Sequence, residues 1–293
     1  MTRSAVVVAH TGRKEIRSMA TSVVSKLNDA GFEVRMLAAE AADCEVTDEV
    51  TIVDGPDAAS GAEILLTFGG DGTFLRASEL ARPAAVPMVG VNFGHVGFLA
   101  EAEPDEFDET VTAIVARRYT VEERTTVDVE VTSGGVLLAE QWALNEASVE
   151  KASRERILEA AVSVDERPLL RFGCDGVLCA TPTGSTAYAF SAGGPIVWPS
   201  VDAFLVVPNA AHAVFSRPII VAPFSVVDVE LISPELPAVL SCDGRRSVPL
   251  PPQARVRFRR GKQSVLIARA HEWNFGERLV TKFQLPVRGF RGM

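Results

Sequence analysis

The pentad Gly69-Gly70-Asp71-Gly72-Thr73 sets one carboxylate among three glycines, directly after the apolar run Ile64-Leu65-Leu66-Thr67-Phe68. This is the layout of a turn at the carboxyl end of a buried strand, with a helix opening over Thr73 to Leu80. Glycines lack a Cβ and let backbone N–H groups close on an anion, and the amino end of the helix favours the same charge. The pattern therefore points to phosphate. Asp71 is the odd member, because a negative charge beside phosphates costs energy unless it binds a metal or handles a proton. The plainer alternative is that Asp71 caps the helix.

A second polar cluster, Thr181-Pro182-Thr183-Gly184-Ser185-Thr186-Ala187-Tyr188, follows the apolar run Val177 to Ala180, and Pro182 stops simple continuation of a paired strand. Several hydroxyls, a glycine and the N–H groups of a new helix form a donor-rich surface suited to ribose, phosphate or amide groups. Capping is the structural alternative. Asp175 before Gly176 and the pair Asn145-Glu146 add polar groups near the ends of apolar runs, where turn or cap roles compete with binding.

The elements that must position these groups follow from periodicity. Ala5 to Ala9 reads as a buried strand and Lys14 to Ala30 as a helix, with Ile16, Met19, Val23 and Leu27 on one face and Gly31 as the stop. Further strands are expected at Glu33 to Leu37, Ile64 to Phe68 and Met88 to Asn92, with another helix from about Pro104 to Arg117. Strands alternating with helices imply a mostly parallel sheet, whose ligand crevice lies outside the carboxyl ends of the strands. GGDGT and the segment Asn92 to Phe98 both fall there. From Thr120 to Ala270 short β-rich runs dominate: Val127 to Val131, Leu158 to Val164, Ala203 to Val207, Val226 to Ile232 and Val265 to Ala268, with Asp243-Gly244 as a turn. The expected organisation is an α/β domain over 1–119, a β-rich sandwich over 120–270, and a helical tail, 271–293, whose Phe275, Leu279 and Phe283 pack back on the first domain.

Composition sets the limits. With 293 residues, 47% hydrophobic and 23% charged, the chain can bury two cores. A formal net charge of -9 and a pI near 5.1 argue against nucleic acid as a partner. The basic run Arg255, Arg257, Arg259, Arg260 and Lys262 alternates with Val256 and Phe258, as on the solvated face of an edge strand. No apolar stretch approaches a membrane span, and Ala5 to Ala9 is too short for a signal-peptide core, so no membrane partner and a cytoplasmic location are expected. Cys44, Cys174, Cys179 and Cys242 show no CxxC spacing and are expected as reduced thiols, and no histidine pair has metal-ligand spacing.

Five blocks carry a resemblance: Gly69 to Arg76 (GGDGTFLR), Asn92 to Glu101 (NFGHVGFLAE), Ala143 to Glu146 (ALNE), Asp175-Gly176, and Thr181 to Pro195 (TPTGSTAYAFSAGGP). In this order and spacing the chain resembles bacterial NAD kinases of the actinobacterial type, over nearly its whole length including Lys282 to Pro286. Related lipid kinases and phosphofructokinases share the glycine-rich turn but not the TPTGSTAY block. The resemblance implies a Rossmann-like parallel sheet and transfer of the terminal phosphate of ATP, or of polyphosphate, to the adenosine-ribose 2′-hydroxyl of NAD. It implies Asp71 as general base, with magnesium or another divalent cation brought in by ATP and no dedicated protein cage for it. Gly70, Gly72 and Thr73 would contact phosphate or ribose, Arg76 would offer a cation to phosphates, and Phe98 an apolar wall against a base. Asn145, Glu146 and Asp175 would hydrogen-bond the dinucleotide, and Thr186, Ala187, Tyr188 and Ser191 would line its pocket. Arg156 and Arg245 match variable positions near the substrate. The chain departs from the family pattern at Gly173 and at Ala211-His212-Ala213. A homodimer or homotetramer is implied, with the β-rich domain at the interface.

Overall fold

The structure is a computed structural model that describes residues 3–93, 97–100, 106–153, 156–233, 235–271, 273–287 and 289. The chain divides into two compact units, residues 1–123 with 265–293, and residues 124–264.

The first unit runs β1 (Arg3–Ala9), α1 (Lys14–Asp29), β2 (Phe32–Leu37), α2 (Ala38–Asp43), β3 (Thr51–Val53), β4 (Ile64–Gly69), α3 (Asp71–Ala81), β5 (Met88–Asn92), α4 (Phe107–Val115) and β6 (Thr120–Arg124). After the second unit, β19 (Val265–Arg269) and α6 (Phe275–Phe283) return to it. Its sheet has the order β3-β2-β1-β4-β5-β19-β6, and β1 pairs in parallel with both β2 and β4. The chain builds β2 and β3 to one side of β1 and then returns for β4 and β5 on the other. The order therefore reverses between β1 and β4, which opens a crevice outside their carboxyl ends. All six residues of β4 are buried, because helices cover a parallel sheet on both faces.

Helix α1 buries Ile16, Ala20, Val23, Val24 and Leu27, a stripe at helical spacing, and Gly31 takes φ +81° so that the chain can turn into β2. Helix α6 starts at Asn274, whose side chain accepts from the N–H groups of Gly276 and Glu277. It brings Phe275 and Phe283 to ring-centroid distances of 5.7 and 6.0 Å from Phe98. The tail thus packs on the first unit through three aromatic rings.

The second unit runs β7 (Val127–Ser133), β8 (Val136–Ala143), β9 (Glu146–Lys151), β10 (Leu158–Val164), β11 (Arg167–Cys174), β12 (Gly176–Ala180), a 3-10 turn (Thr183–Thr186), α5 (Tyr188–Ser191), β13 (Phe204–Asn209), β14 (Ile219–Val221), β15 (Val227–Leu231), β16 (Ala238–Cys242), β17 (Arg246–Leu250) and β18 (Arg255–Arg260). Two six-stranded sheets, β11-β10-β15-β18-β7-β8 and β14-β13-β12-β9-β16-β17, face each other across one core. Val129, Val162, Val229 and Phe258 of the first sheet meet Val149, Val177, Phe204 and Leu240 of the second. Cys174, Cys179 and Cys242 lie in this core as free thiols, and burial pushes each up to about 12; Cys44 is free and buried in the first unit.

Three readings of the sequence change. Strands β6 and β19, expected in the β-rich domain, extend the first sheet, and the compact units part at 123/124 and 264/265. The run Arg255 to Arg260 is an interior strand between β15 and β7, not an edge. Its arginines are ion-paired across the sheet: Arg257 Nε lies 2.7 Å from Asp228 Oδ1, and Arg259 Nη1 lies 3.0 Å from Glu130 Oε1. Helix α2 and strand β3 were not anticipated, being six and three residues long. The expected helix start at Pro104 lies outside the described residues. Among those residues, no helix is long and apolar enough to cross a membrane.

Truncating Phe275 to alanine should cost about 3 kcal/mol, because a buried ring that packs on Phe98 and Trp273 leaves a cavity. Urea unfolding of the variant and the parent chain measures this.

Candidate active site

In the first unit Asp71 is the first residue of α3, and Gly70 is the N-cap, in an extended conformation. The Asp71 carboxylate does not turn back on the helix. Its Oδ2 accepts from the N–H of Phe98 and its Oδ1 from the N–H of Leu99, each at 3.1 Å. Two backbone donors from the segment that follows β5 thus fix the plane of the acid. Each oxygen keeps a further lone pair that can receive a proton. A Cβ at position 97 would collide with Asp71 Oδ1, so Gly97 is what allows that segment to close on the acid. The helix-cap alternative for Asp71 is thereby replaced by a clamp.

The glycines of the turn differ in what they do. A Cβ on Gly69 would collide with the Thr73 side chain, so the fold itself requires glycine there. Gly70 and Gly72 meet no described atom within 4 Å of a built Cβ. Neither takes a positive φ. Packing therefore does not require their smallness, and the space beside their backbone is open to a ligand. Thr73 sits against Gly69 in the first turn of α3.

Arg76 and Phe98 each have partners within the first unit. Arg76 Nη1 donates to Glu40 Oε1 at 2.5 Å and Nη2 donates to the Ala9 carbonyl at 3.0 Å, while Glu40 Oε2 accepts from the Ala9 N–H at 2.6 Å. The pair closes the last peptide of β1 and neutralises a nearly buried carboxylate, so the Arg76 guanidinium is committed to the fold. Phe98 is buried between Phe275 and Phe283, and it serves the acid through its backbone N–H.

The second unit gathers its own cluster where the chain passes from β8 in one sheet to β9 in the other. Leu144 and Asn145 lie between these strands and have no ladder partner for their N–H groups. Asp243 supplies the acceptors, Oδ1 to Asn145 N at 2.7 Å and Oδ2 to Leu144 N at 3.0 Å. From the other side Thr181 N donates to the Asn145 carbonyl at 2.9 Å, and Thr181 Oγ1 donates to the Leu144 carbonyl at 2.5 Å. Gly184 crosses so close that a Cβ would strike the Asn145 carbonyl. Three segments distant in sequence are thus knitted around Asn145-Glu146.

Glu146 is buried, and its Oε2 has no hydrogen-bond partner among the described residues. Burial first, then the Asp243 charge, push its carboxyl up to about 8, against a backbone hydrogen bond from Tyr188. A buried acid with one oxygen unsatisfied is prepared for a polar ligand. Tyr188 lies nearby at the surface, with its hydroxyl 3.0 Å from Asn209 Nδ2.

The hydroxyls of the TPTGST block divide into two sets. Ser185 is wholly buried; it donates to the Pro182 carbonyl at 2.7 Å and accepts from Val197 N at 2.9 Å. With Thr181 it is a staple of the fold and no part of a ligand surface. Thr186 and Ala187 are half-buried, and Tyr188 and Ser191 are exposed. Asp175 is ion-paired with Lys151, Arg156 lines a small recess with Lys151, Ser153 and Leu158, and Arg245 is exposed at the turn after β16. The two departures, Gly173 and Ala211-His212-Ala213, meet each other, since His212 N donates to the Gly173 carbonyl at 2.7 Å. The sequence reading missed Asp243, Glu40 and the clamping role of Gly97. Only the Asp-Gly turn at 243–244 gave a signal, and it spoke of a hairpin. Among the described residues no group of three His, Cys, Asp or Glu side chains is placed to hold a metal ion.

A carboxylate clamped at the switch point of a parallel sheet, in a chain that also carries a polar sandwich corner, suits a two-domain phosphate-handling enzyme. The sequence profile of the ATP-NAD kinase N-terminal domain matches residues 6–119, and that of the ATP-NAD kinase C-terminal domain matches residues 144–270. The chain belongs to the NAD kinase family. It is 54% identical to NAD kinase 2 of Streptomyces avermitilis over 293 residues, covering 99% of this chain and 97% of that one. It is 47% identical to the NAD kinase of Mycobacterium leprae over 302 residues, with 99% and 97% covered. In three dimensions it is similar to an NAD kinase from Archaeoglobus fulgidus in complex with ATP, at TM-score 0.71 and 25% identity over 96% of this chain and 97% of that one. Yeast NADH kinase complexed with NADH shares the fold at TM-score 0.89 and 20% identity, over 100% of this chain and 90% of that one.

Two outcomes follow. Arg76→Met should cost about 2–3 kcal/mol by leaving Glu40 buried without its cation, in part offset because Arg76 reaches solvent; chemical denaturation checks this. The folded-state pKa of Glu146 is raised, so its contribution to stability is complete below the ordinary carboxylate range and is lost as pH rises toward about 8. The melting temperature of Glu146→Gln relative to the parent should therefore increase between about pH 5 and pH 8 in ligand-free protein.

Proposed function

We propose that this chain transfers the terminal phosphate of ATP to the adenosine-ribose 2′-hydroxyl of NAD, with Asp71 as the general base. Phosphorylation of NAD by ATP is the activity of the family to which the chain belongs. The observation that carries the residue assignment is the Asp71 clamp. An alcohol is a poor nucleophile at neutral pH, and a carboxylate held rigidly by two N–H donors can orient the hydroxyl and take its proton as the phosphoryl group arrives. The 2′-oxygen forms the new bond to the γ-phosphorus, the bond from that phosphorus to the β–γ bridging oxygen breaks, and ADP leaves with the electron pair. The open backbone at Gly70 and Gly72, with Thr73 beside it, suits contact with phosphate or ribose.

The dinucleotide is held by groups of the second unit. Glu146 offers its unsatisfied oxygen to ribose hydroxyls, Asn145 and Asp175 supply further polar contacts, and Thr186, Ala187, Tyr188 and Ser191 line the pocket. Arg156 and Arg245 lie at the margin of this set. A divalent cation such as magnesium, brought in by ATP, would supply charge neutralisation at the phosphates. Polyphosphate as an alternative donor belongs to the same proposal. So does assembly into a homodimer or homotetramer, which the exposed Val136, Leu137 and Leu138 on edge strand β8 support. Four unpaired thiols suit a cytoplasmic location.

Asp71→Asn should lower turnover by roughly a hundredfold or more and leave NAD binding measurable. A coupled assay with NAD and ATP, repeated with polyphosphate, tests this beside a direct NAD titration. Near-parental turnover removes the assignment of the base, and NAD binding with no turnover in the parent chain makes the protein a sensor and not a kinase.

A further inference from the structure

Asp243 lies in the turn between β16 and β17, at φ 54°, with Gly244 after it at φ 63°. Asparagine and aspartate are among the few non-glycine residues that accept this conformation at small cost, and the conformation carries the side chain inward. The Asp243 side chain is 1% exposed. It makes three hydrogen bonds, to Leu144 N, to Asn145 N and, at 2.8 Å, to Arg246 Nη2, while its own N–H donates to the Glu146 carbonyl at 2.9 Å. Arg246 lies with its guanidinium carbon 4.4 Å from the Trp142 ring centroid, stacked three residues before Asn145. Every residue from Leu144 to Glu146 is thus tied to this one turn through its backbone.

We infer that Asp243, braced by Arg246 on Trp142, is the positioning residue of the NAD site, setting Asn145 and Glu146 at the sheet-to-sheet corner without itself touching the dinucleotide. A corner between two sheets has no ladder to define its backbone. Acceptors on one rigid turn replace that ladder, and the side chains of the corner inherit its precision. Asp243 acts on Glu146 in a second way, through its charge. The groups facing Glu146 are Asp243 and Cys242 from the β16 end, Glu150 on β9 and Tyr188 on α5, and after burial the Asp243 charge is the largest influence raising the Glu146 carboxyl. Removing that charge should ease ionisation of Glu146 even where the backbone stays in place.

The inference rests on the reading of Asn145-Glu146 as NAD-binding groups, so the test carries a control for that reading. NAD affinity is titrated against pH, and steady-state kinetics are measured, for the parent, Glu146→Gln, Asp243→Asn and Arg246→Met. Asp243→Asn should raise the KM for NAD about tenfold, leave that for ATP within about twofold, and move the acidic midpoint of NAD binding to lower pH. A residue serving the fold alone would lower the melting temperature without moving that midpoint. Arg246→Met keeps Asp243 and should raise the KM for NAD severalfold, which decides the question if Asp243→Asn does not fold. Parental KM for NAD and parental midpoint in folded variants overturn the inference, provided Glu146→Gln does weaken NAD. If Glu146→Gln leaves NAD binding unchanged, the reading of the site itself has failed.

Discussion

A strand that stops leaves peptide N–H groups without a ladder, and in this protein carboxylates accept them, two of them buried and one half-buried. Glu40 takes the N–H of Ala9 at the end of β1, Asp71 takes those of Phe98 and Leu99 beyond β5, and Asp243 takes those of Leu144 and Asn145 between β8 and β9. Hydrogen bonds from backbone donors to an ionised acceptor are short and directional, and a buried polar group without a partner is costly. The loops proposed to bear function are therefore fastened by charged acceptors and backbone donors. Two of the three acids also bind an arginine, Arg76 or Arg246, while among the described residues Asp71 is held by two N–H donors. The acid with no cation among the described residues is the one proposed to accept a proton.

The glycines show how closely the two motifs are bound to the fold. Gly69, Gly97 and Gly184 each make room for a neighbouring atom of the protein, while Gly70 and Gly72 make room for nothing described. In a single motif, packing and ligand access are thus separate demands on the same residue type. The hydroxyls of the TPTGST block divide similarly, with Thr181 and Ser185 consumed internally and Thr186 left closer to the surface.

Much of this was legible in the sequence. The apolar run before GGDGT and the helix after it place Asp71 at a strand end, and the spacing of Phe275, Leu279 and Phe283 shows the tail to be an amphipathic helix. Local signals end where a partner is distant. Arg76 reads as a phosphate ligand, and its ion pair with Glu40, 36 residues earlier, leaves no local trace. Asp243 reads as a turn residue because the N–H groups it serves lie nearly a hundred positions away. Strands β6 and β19 have the same composition as those of the sandwich, and nothing in a strand's own residues says which sheet it will join. Helix α2 is too short for its periodicity to register.

The three thiols enclosed in the sandwich have one more implication. Pushed up to about 12, they carry almost no thiolate near neutrality, and it is the thiolate that attacks electrophiles and peroxides. Oxidants and alkylating agents thus reach Cys174, Cys179 and Cys242 only when the sheets come apart, so the rate of their modification is a clock for the opening of that unit.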